Sequence, residues 1–201
     1  MKYSQNNEEE IILHYFGSHL GNFLDIGAND GETLSNSRAL ALKGWRGVCG
    51  EPAPEAYRKL SNMYLGTDVL VLNVAITDKA GEIPFFDMGP HLGNGDTSLL
   101  ATTKESETKR WLGVKFGITN VEAITYQDIT ERCNRQYDFI TIDAEGQDWT
   151  ILQQIDLTNT QCVCIEHNGN EHLYNAIKNY CNGYGLNKCL LNNLENVIWA
   201  R

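Results

Sequence analysis

The sequence has little positive charge: 16 Lys and Arg stand against 26 Asp and Glu in 201 residues, a formal net charge of -10. Without clustered cations there is little to neutralise a phosphate backbone or an anionic membrane surface, so neither nucleic acid nor membrane is expected as a partner. No apolar run approaches the roughly 18 residues that span a bilayer. The N-terminus, Met1 to Glu10, is polar and acidic and lacks the basic and apolar regions of a secretory signal. No C-x-x-C pair occurs among Cys49, Cys133, Cys162, Cys164, Cys181 and Cys189, which speaks against a structural zinc site. These cysteines read as reduced thiols, mostly packed as small hydrophobes, in a cytoplasmic compartment. The G-x-G-x-x-G fingerprint of dinucleotide enzymes is missing, and so is a Walker A lysine loop.

What is present is a globular composition, 42% hydrophobic and 21% charged, at a length that builds one core. Asn7 to Leu20 reads as an amphipathic helix, with Glu8, Glu9 and Glu10 as solvated surface charge. From Asn22 a rhythm of strands and helices begins. Strands are expected at 22–27, 45–50, 68–76, 137–143 and 161–165, with helices at 32–43, 53–64, 147–155 and 171–182 between or after them. Glu82 to Asp87 reads as a short strand pairing back, Gly89 to Arg110 as a long loop of lid type, and Val121 to Tyr126 as a strand. Leu186 to Leu191 and Asn196 to Ala200 read as a closing hairpin that adds an antiparallel edge strand. The expected fold is α/β: a mainly parallel sheet with helices on both faces. An N-terminal helix (1–20) precedes one domain (21–201) that carries an insert around 78–126.

Ligands on such sheets sit beyond the carboxyl ends of the strands. The first strand ends Asp25-Ile26-Gly27-Ala28-Asn29-Asp30-Gly31, in which Gly27 and Gly31 permit a tight turn and close approach of a ligand. Glu51 ends the second strand, where an acidic residue accepts hydrogen bonds from ribose hydroxyls. Asn73-Val74-Ala75 lies at the end of the third, Asp143-Ala144-Glu145-Gly146 follows the fourth, and Glu166-His167-Asn168 the fifth.

This ordered set, from about Gly21 to Ala200, resembles the FkbM family of S-adenosylmethionine-dependent methyltransferases. The resemblance implies a Rossmann-like methyltransferase fold. It also implies that Asp25 and the Gly27–Asn29 turn hold the methionine end of S-adenosylmethionine, that Glu51 binds the ribose, and that Asn73 to Ala75 lie near the adenine. Gly31, Thr33, Pro52 and Asp143 complete the expected cofactor site. Many members methylate sugar hydroxyls, so the expected acceptor is a hydroxyl of a glycan or glycoside such as a deoxyhexose. A protein or small-metabolite acceptor, or a non-catalytic cofactor-binding module, remains the alternative. The chain could also be one module of a larger glycan-modifying polypeptide.

An alcohol becomes a good nucleophile only when its proton is removed, and two devices are open. Asp143, Glu166 and Asn168 form a hard oxygen set suited to Mg²⁺ or another divalent cation, an arrangement that resembles catechol-type O-methyltransferases. Alternatively His167 or Glu145 is the general base, with Asp143 beside it. The bland readings are that Glu145 caps the following helix and His167 bonds the backbone. Trp111 and Trp149 could stack on a sugar but read better as core, and His91 reads as a solvated loop residue. Placing Asp25, Glu51, Asp143, Glu145 and Glu166 around one cleft favours a sulfonium and a neutral, hydroxyl-rich acceptor over a phosphorylated one.

Overall fold

The computed structural model describes residues 2–89 and 98–201. His91 and part of the expected lid lie outside the described residues. The strands β1 (Asn22–Ile26), β2 (Arg46–Gly50), β3 (Val69–Leu72), β7 (Phe139–Ile142), β8 (Cys162–Glu166), β9 (Lys188–Asn192) and β10 (Asn196–Ala200) form a seven-stranded sheet ordered β3-β2-β1-β7-β8-β10-β9. All pairings are parallel except those of β10, which runs antiparallel to both β8 and β9.

The central strands are apolar on both faces because helices cover both. Leu24, Ile26, Ile140, Ile142, Val163 and Ile165 pack under α5 (Tyr126–Cys133), α6 (Asp148–Leu152) and α7 (Glu171–Gly183) through Ile129, Ile151 and Ile177. The alternate residues Phe23, Cys49, Phe139, Cys162 and Cys164 meet α1 (Glu8–Phe16), α2 (Arg38–Leu42) and α3 (Pro54–Met63) through Ile12, Leu40 and Leu60. All six cysteines are unpaired. No helix among the described residues is long and apolar enough to cross a membrane.

Several elements differ from the sequence expectation. The strand expected at 68–76 divides into β3 and β4 (Ala75–Ile76), because the Asn73 amide donates to the carbonyls of Glu51 and Pro52 (2.8 and 3.1 Å) and turns the chain. Beyond that turn β4 pairs with β6 (Gly117–Ile124), which also pairs with β5 (Gly81–Asp87), in a second sheet. The helix expected at 32–43 shrinks to α2. Asp30 accepts hydrogen bonds from the Glu32 and Thr33 amides and the Thr33 hydroxyl (3.0, 2.7 and 2.8 Å), holding 30–33 in a local turn that competes with helix. Part of the expected loop is helical, as α4 (Glu105–Thr108). The closing hairpin adds the expected antiparallel edge strand as β9, while β10, buried along its whole length, lies between β8 and β9.

Glu8 and Glu9 are not solvated. They are 0% and 4% exposed. Glu8 accepts hydrogen bonds from the Asn6 amide and from the side chains of Asn193 and Asn196 (2.6, 3.1 and 3.1 Å). Glu9 accepts from the backbone of Tyr3 (2.9 Å) and Ser4. The two carboxylates strap residues 3–7 onto the β9–β10 turn.

Candidate functional site

A cavity of about 380 Å³ opens at the carboxyl ends of β1, β2, β7 and β8. It spans the switch point between β1 and β7, where crossovers leave the sheet in opposite directions. At its floor the Gly27 turn is seated by hydrogen bonds from the Gly27 and Ala28 amides to the Gly50 carbonyl (3.0 and 3.1 Å). Gly27 has φ +83°, and a Cβ there would lie 1.7 Å from the Asp143 carbonyl oxygen, so only glycine lets β1 and β7 close together.

Glu51, 6% exposed, bridges two turns: the Ala53 amide donates to Oε1 and the Asn29 amide to Oε2, both at 2.8 Å. Each oxygen keeps a second lone pair for a ligand. Burial pushes its carboxyl up to about 7 despite those two amides. Asp25, 5% exposed and hydrogen-bonded by the Ser37 hydroxyl, is pushed up to about 6 by the same cause. Ala28, Asn29, Thr33, Pro52 and Ala75 also line the cavity. Gly31 and Asn73 do not. Gly31 turns the chain beneath Leu60 and Tyr64, and Asn73 is occupied by the two carbonyls that end β2.

The opposite end of the cavity is acidic. One carboxylate oxygen each from Asp143, Asp148 and Glu166 lies within 4.8 Å of the others, and Glu145 and Asn168 line the wall beside them. Asp148 is also held by the Ala144 and Gly146 amides (2.8 and 3.1 Å), which shapes the turn carrying Asp143 and Glu145. Asp143 opens onto the cavity, but the protein around it withdraws bulk water. That loss of water, then mutual repulsion, raises the carboxyls of Asp143, Glu145 and Glu166 above the usual range.

His167 is not brought to the cavity. It is 5% exposed; its Nε2 meets Asn192 Oδ1 at 3.1 Å, and its ring lies edge-on to Tyr174. The His167 and Asn168 amides both donate to the Glu195 carbonyl (2.7 and 3.1 Å), which draws the β9–β10 turn under this residue.

Sequence reasoning missed Asp148 in the acidic cluster and, among the residues of the cavity wall, Gln5 and Arg110. Asp148 carries a local signal, a second acid in the Asp143–Asp148 run. Gln5 arrives on the N-terminal strap, and Arg110 and Trp111 arrive on the segment after α4. Trp111 is 36% exposed and lines the cavity, so it is not the core residue expected from the sequence. Trp149 does pack against the core.

A family model described as methyltransferase FkbM domain matches residues 25–185. Among solved structures, the methyltransferase FkbM from Methylobacillus flagellatus KT is similar at TM-score 0.56 and 11% identity, over 98% of this chain and 48% of that one. The METTL16 methyltransferase domain is similar at 0.51 and 13% identity, over 96% and 63% of the two chains. A candidate RNA methyltransferase from Pyrococcus horikoshii is similar at 0.50 and 13%, over 98% and 84%. At such identities the likeness shows the fold alone, and the chain spans about half the length of the first of these structures. No match was found among curated proteins.

Proposed function

The chain belongs to the methyltransferase FkbM domain family, and from that premise we propose that it transfers a methyl group from S-adenosylmethionine to a hydroxyl of a sugar, in a glycan or glycoside. The observation that carries this reading is one cavity with two chemically different ends at the β1/β7 switch point. Its volume suits a small ligand. Glu51 offers two free lone pairs where ribose hydroxyls would donate, and Asp25 with the Gly27–Asn29 turn supports the methionine end.

When bound, S-adenosylmethionine supplies an electrophilic methyl on a sulfonium, so the protein's work is mainly to position the acceptor and take its proton. As the acceptor oxygen takes that methyl, S-adenosylhomocysteine would leave with the carbon–sulfur pair, and a carboxylate of this chain would take the hydroxyl proton. Glu145 is read as that base in place of His167, because it lines the cavity and its raised affinity for protons suits the task. A divalent cation is the second device. Asp143, Asp148 and Glu166 would hold it, with Asn168 alongside, and the all-oxygen donor set fits Mg²⁺, which would polarise the hydroxyl.

The acidic wall and the net charge of -10 weigh against a phosphate-rich acceptor, although one structural neighbour is described as an RNA methyltransferase. The unpaired cysteines support a reducing, cytoplasmic location.

The test is calorimetry with S-adenosylhomocysteine, followed by product analysis against a panel of methyl glycosides. Binding is expected with a dissociation constant on the order of micromolar, weakened at least about tenfold by Glu51→Ala through loss of two charge-assisted hydrogen bonds. Absence of binding overturns the assignment. Turnover unchanged in excess chelator removes the metal, and full activity of Glu145→Gln removes the base.

A further inference from the structure

The segment after β5 is stitched to the turn that carries Glu145. The Thr102 hydroxyl donates to the Glu145 carbonyl (2.8 Å), the Lys104 ammonium to the Gly146 carbonyl, and the Gln147 amide to the Thr103 hydroxyl (3.3 Å). Glu107 fills the space above Gly146, where a Cβ would meet its Cγ at 2.8 Å. These contacts fix α4, and hence Arg110 and Trp111, at the acidic end of the cavity.

There Arg110 is held by Glu107 (2.8 Å) and lies 5.8 Å from the centre of the Trp111 ring. Its charge is felt by Glu145 and Glu166. Trp111 is 36% exposed, whereas Trp45 and Trp199 are 2% and 3% exposed in the core. An indole left partly open beside a cavity has an apolar face without a protein partner over all of its area.

We infer that Trp111, braced by Arg110, is the platform that seats the acceptor: a neutral pyranose lays a C–H face on the indole and turns its hydroxyls toward Glu145 and Glu166. This rests on the sugar reading above and deepens it. The electropositive hydrogens of a sugar's C–H face suit the negative face of the ring. Glu145 and Glu166, whose carboxyls hold their protons above the usual range, can both donate to and accept from hydroxyls, while the Arg110 guanidinium disfavours an ammonium at the same place. A guanidinium already paired with Glu107 beside carboxyls that donate and accept selects an uncharged polyol.

The experiment uses the full chain saturated with S-adenosylhomocysteine and titrated with methyl α-rhamnoside, methyl α-glucoside, a simple diamine and inorganic phosphate. Binding is read by calorimetry and by protection of tryptophan emission from acrylamide. A glycoside is expected to bind and to shield the quenchable emission. Trp111→Ala should weaken that glycoside at least about tenfold, while Trp111→Phe, which keeps an aromatic face, stays within about threefold. Affinity for S-adenosylhomocysteine should stay within about twofold in both variants, as expected if neither disturbs the cofactor end. Equal glycoside affinity in Trp111→Ala overturns the platform and leaves the sugar reading standing. Binding of the diamine or phosphate in place of any glycoside overturns both, and retained S-adenosylhomocysteine binding then keeps the methyltransferase assignment. A large loss of S-adenosylhomocysteine affinity in Trp111→Ala would put the indole in the cofactor half and overturn the inference.

Discussion

Gly27 and Gly44 share a left-handed backbone, at φ +83° and +92°, but only Gly27 faces a neighbour. The pair separates conformational cost from contact cost. Gly44→Ala should cost about 1 kcal/mol from backbone strain alone. Gly27→Ala should cost at least about 3 kcal/mol, because β1 and β7 must part to admit the methyl group. Equal losses in urea unfolding would show that the Asp143 carbonyl yields freely. Gly27 and Glu51 were legible because their roles depend on neighbours in sequence: a tight turn after a strand, and an acid at a strand end. His167 had the same local credentials. Its place is decided by the Glu195 carbonyl and by Asn192 and Tyr174, which arrive from later elements, so nothing beside it in the sequence marks the difference.

At the scale of elements, the strand–helix alternation read from the sequence gives the main sheet because apolar runs buried on both faces persist through their whole length. The run at 68–76 misled because β-branched content does not say which sheet a strand joins; Asn73 makes that decision by taking the carbonyls at the end of β2. The helix α5 was missed. Its start is marked by Thr125 and Asp128, which cap each other reciprocally, a signal present in the sequence. The acidic start of α1 was misjudged for a different reason: carboxylates in a first helical turn usually face water, and the asparagines that bury Glu8 lie near the other end of the chain. Glu8→Ala strands the Asn193 and Asn196 amides and should cost about 2 kcal/mol. Hydrogen exchange should then speed up in residues 3–7 and 193–196 together. Faster exchange in residues 3–7 alone would mean that the strap does not hold the turn.

The whole molecule carries its buried acids as a pH dependence. Asp25 and Glu51 sit at about 6 and about 7 in the fold, against ordinary values of 3.8 and 4.5. The folded chain therefore holds these protons more tightly than the unfolded chain does. Their contribution is full below the unfolded values and is lost as pH rises through the folded ones, on the order of 3 kcal/mol per group. Glu8 works in the opposite sense, since its carboxyl is held below the ordinary value. Asp143, Glu145, Asp148 and Glu166 are raised as well and Asp128 and Asp156 lowered, so raised carboxyls outnumber lowered ones six to three, and melting temperature should be highest near about pH 5 and fall toward about pH 8. Glu51→Gln should flatten part of that slope. A melting temperature that climbs steadily from pH 5 to pH 8 would contradict the raised values. The interior position of β10 bears on how the chain is made. Until Ala200 has left the ribosome, β8 has an open apolar edge and β9 has no partner strand. A polypeptide made past β8 thus carries an adhesive strand border until residues 196–200 follow. Shielding by a chaperone in that interval, more than final stability, should govern how much active protein a cell recovers.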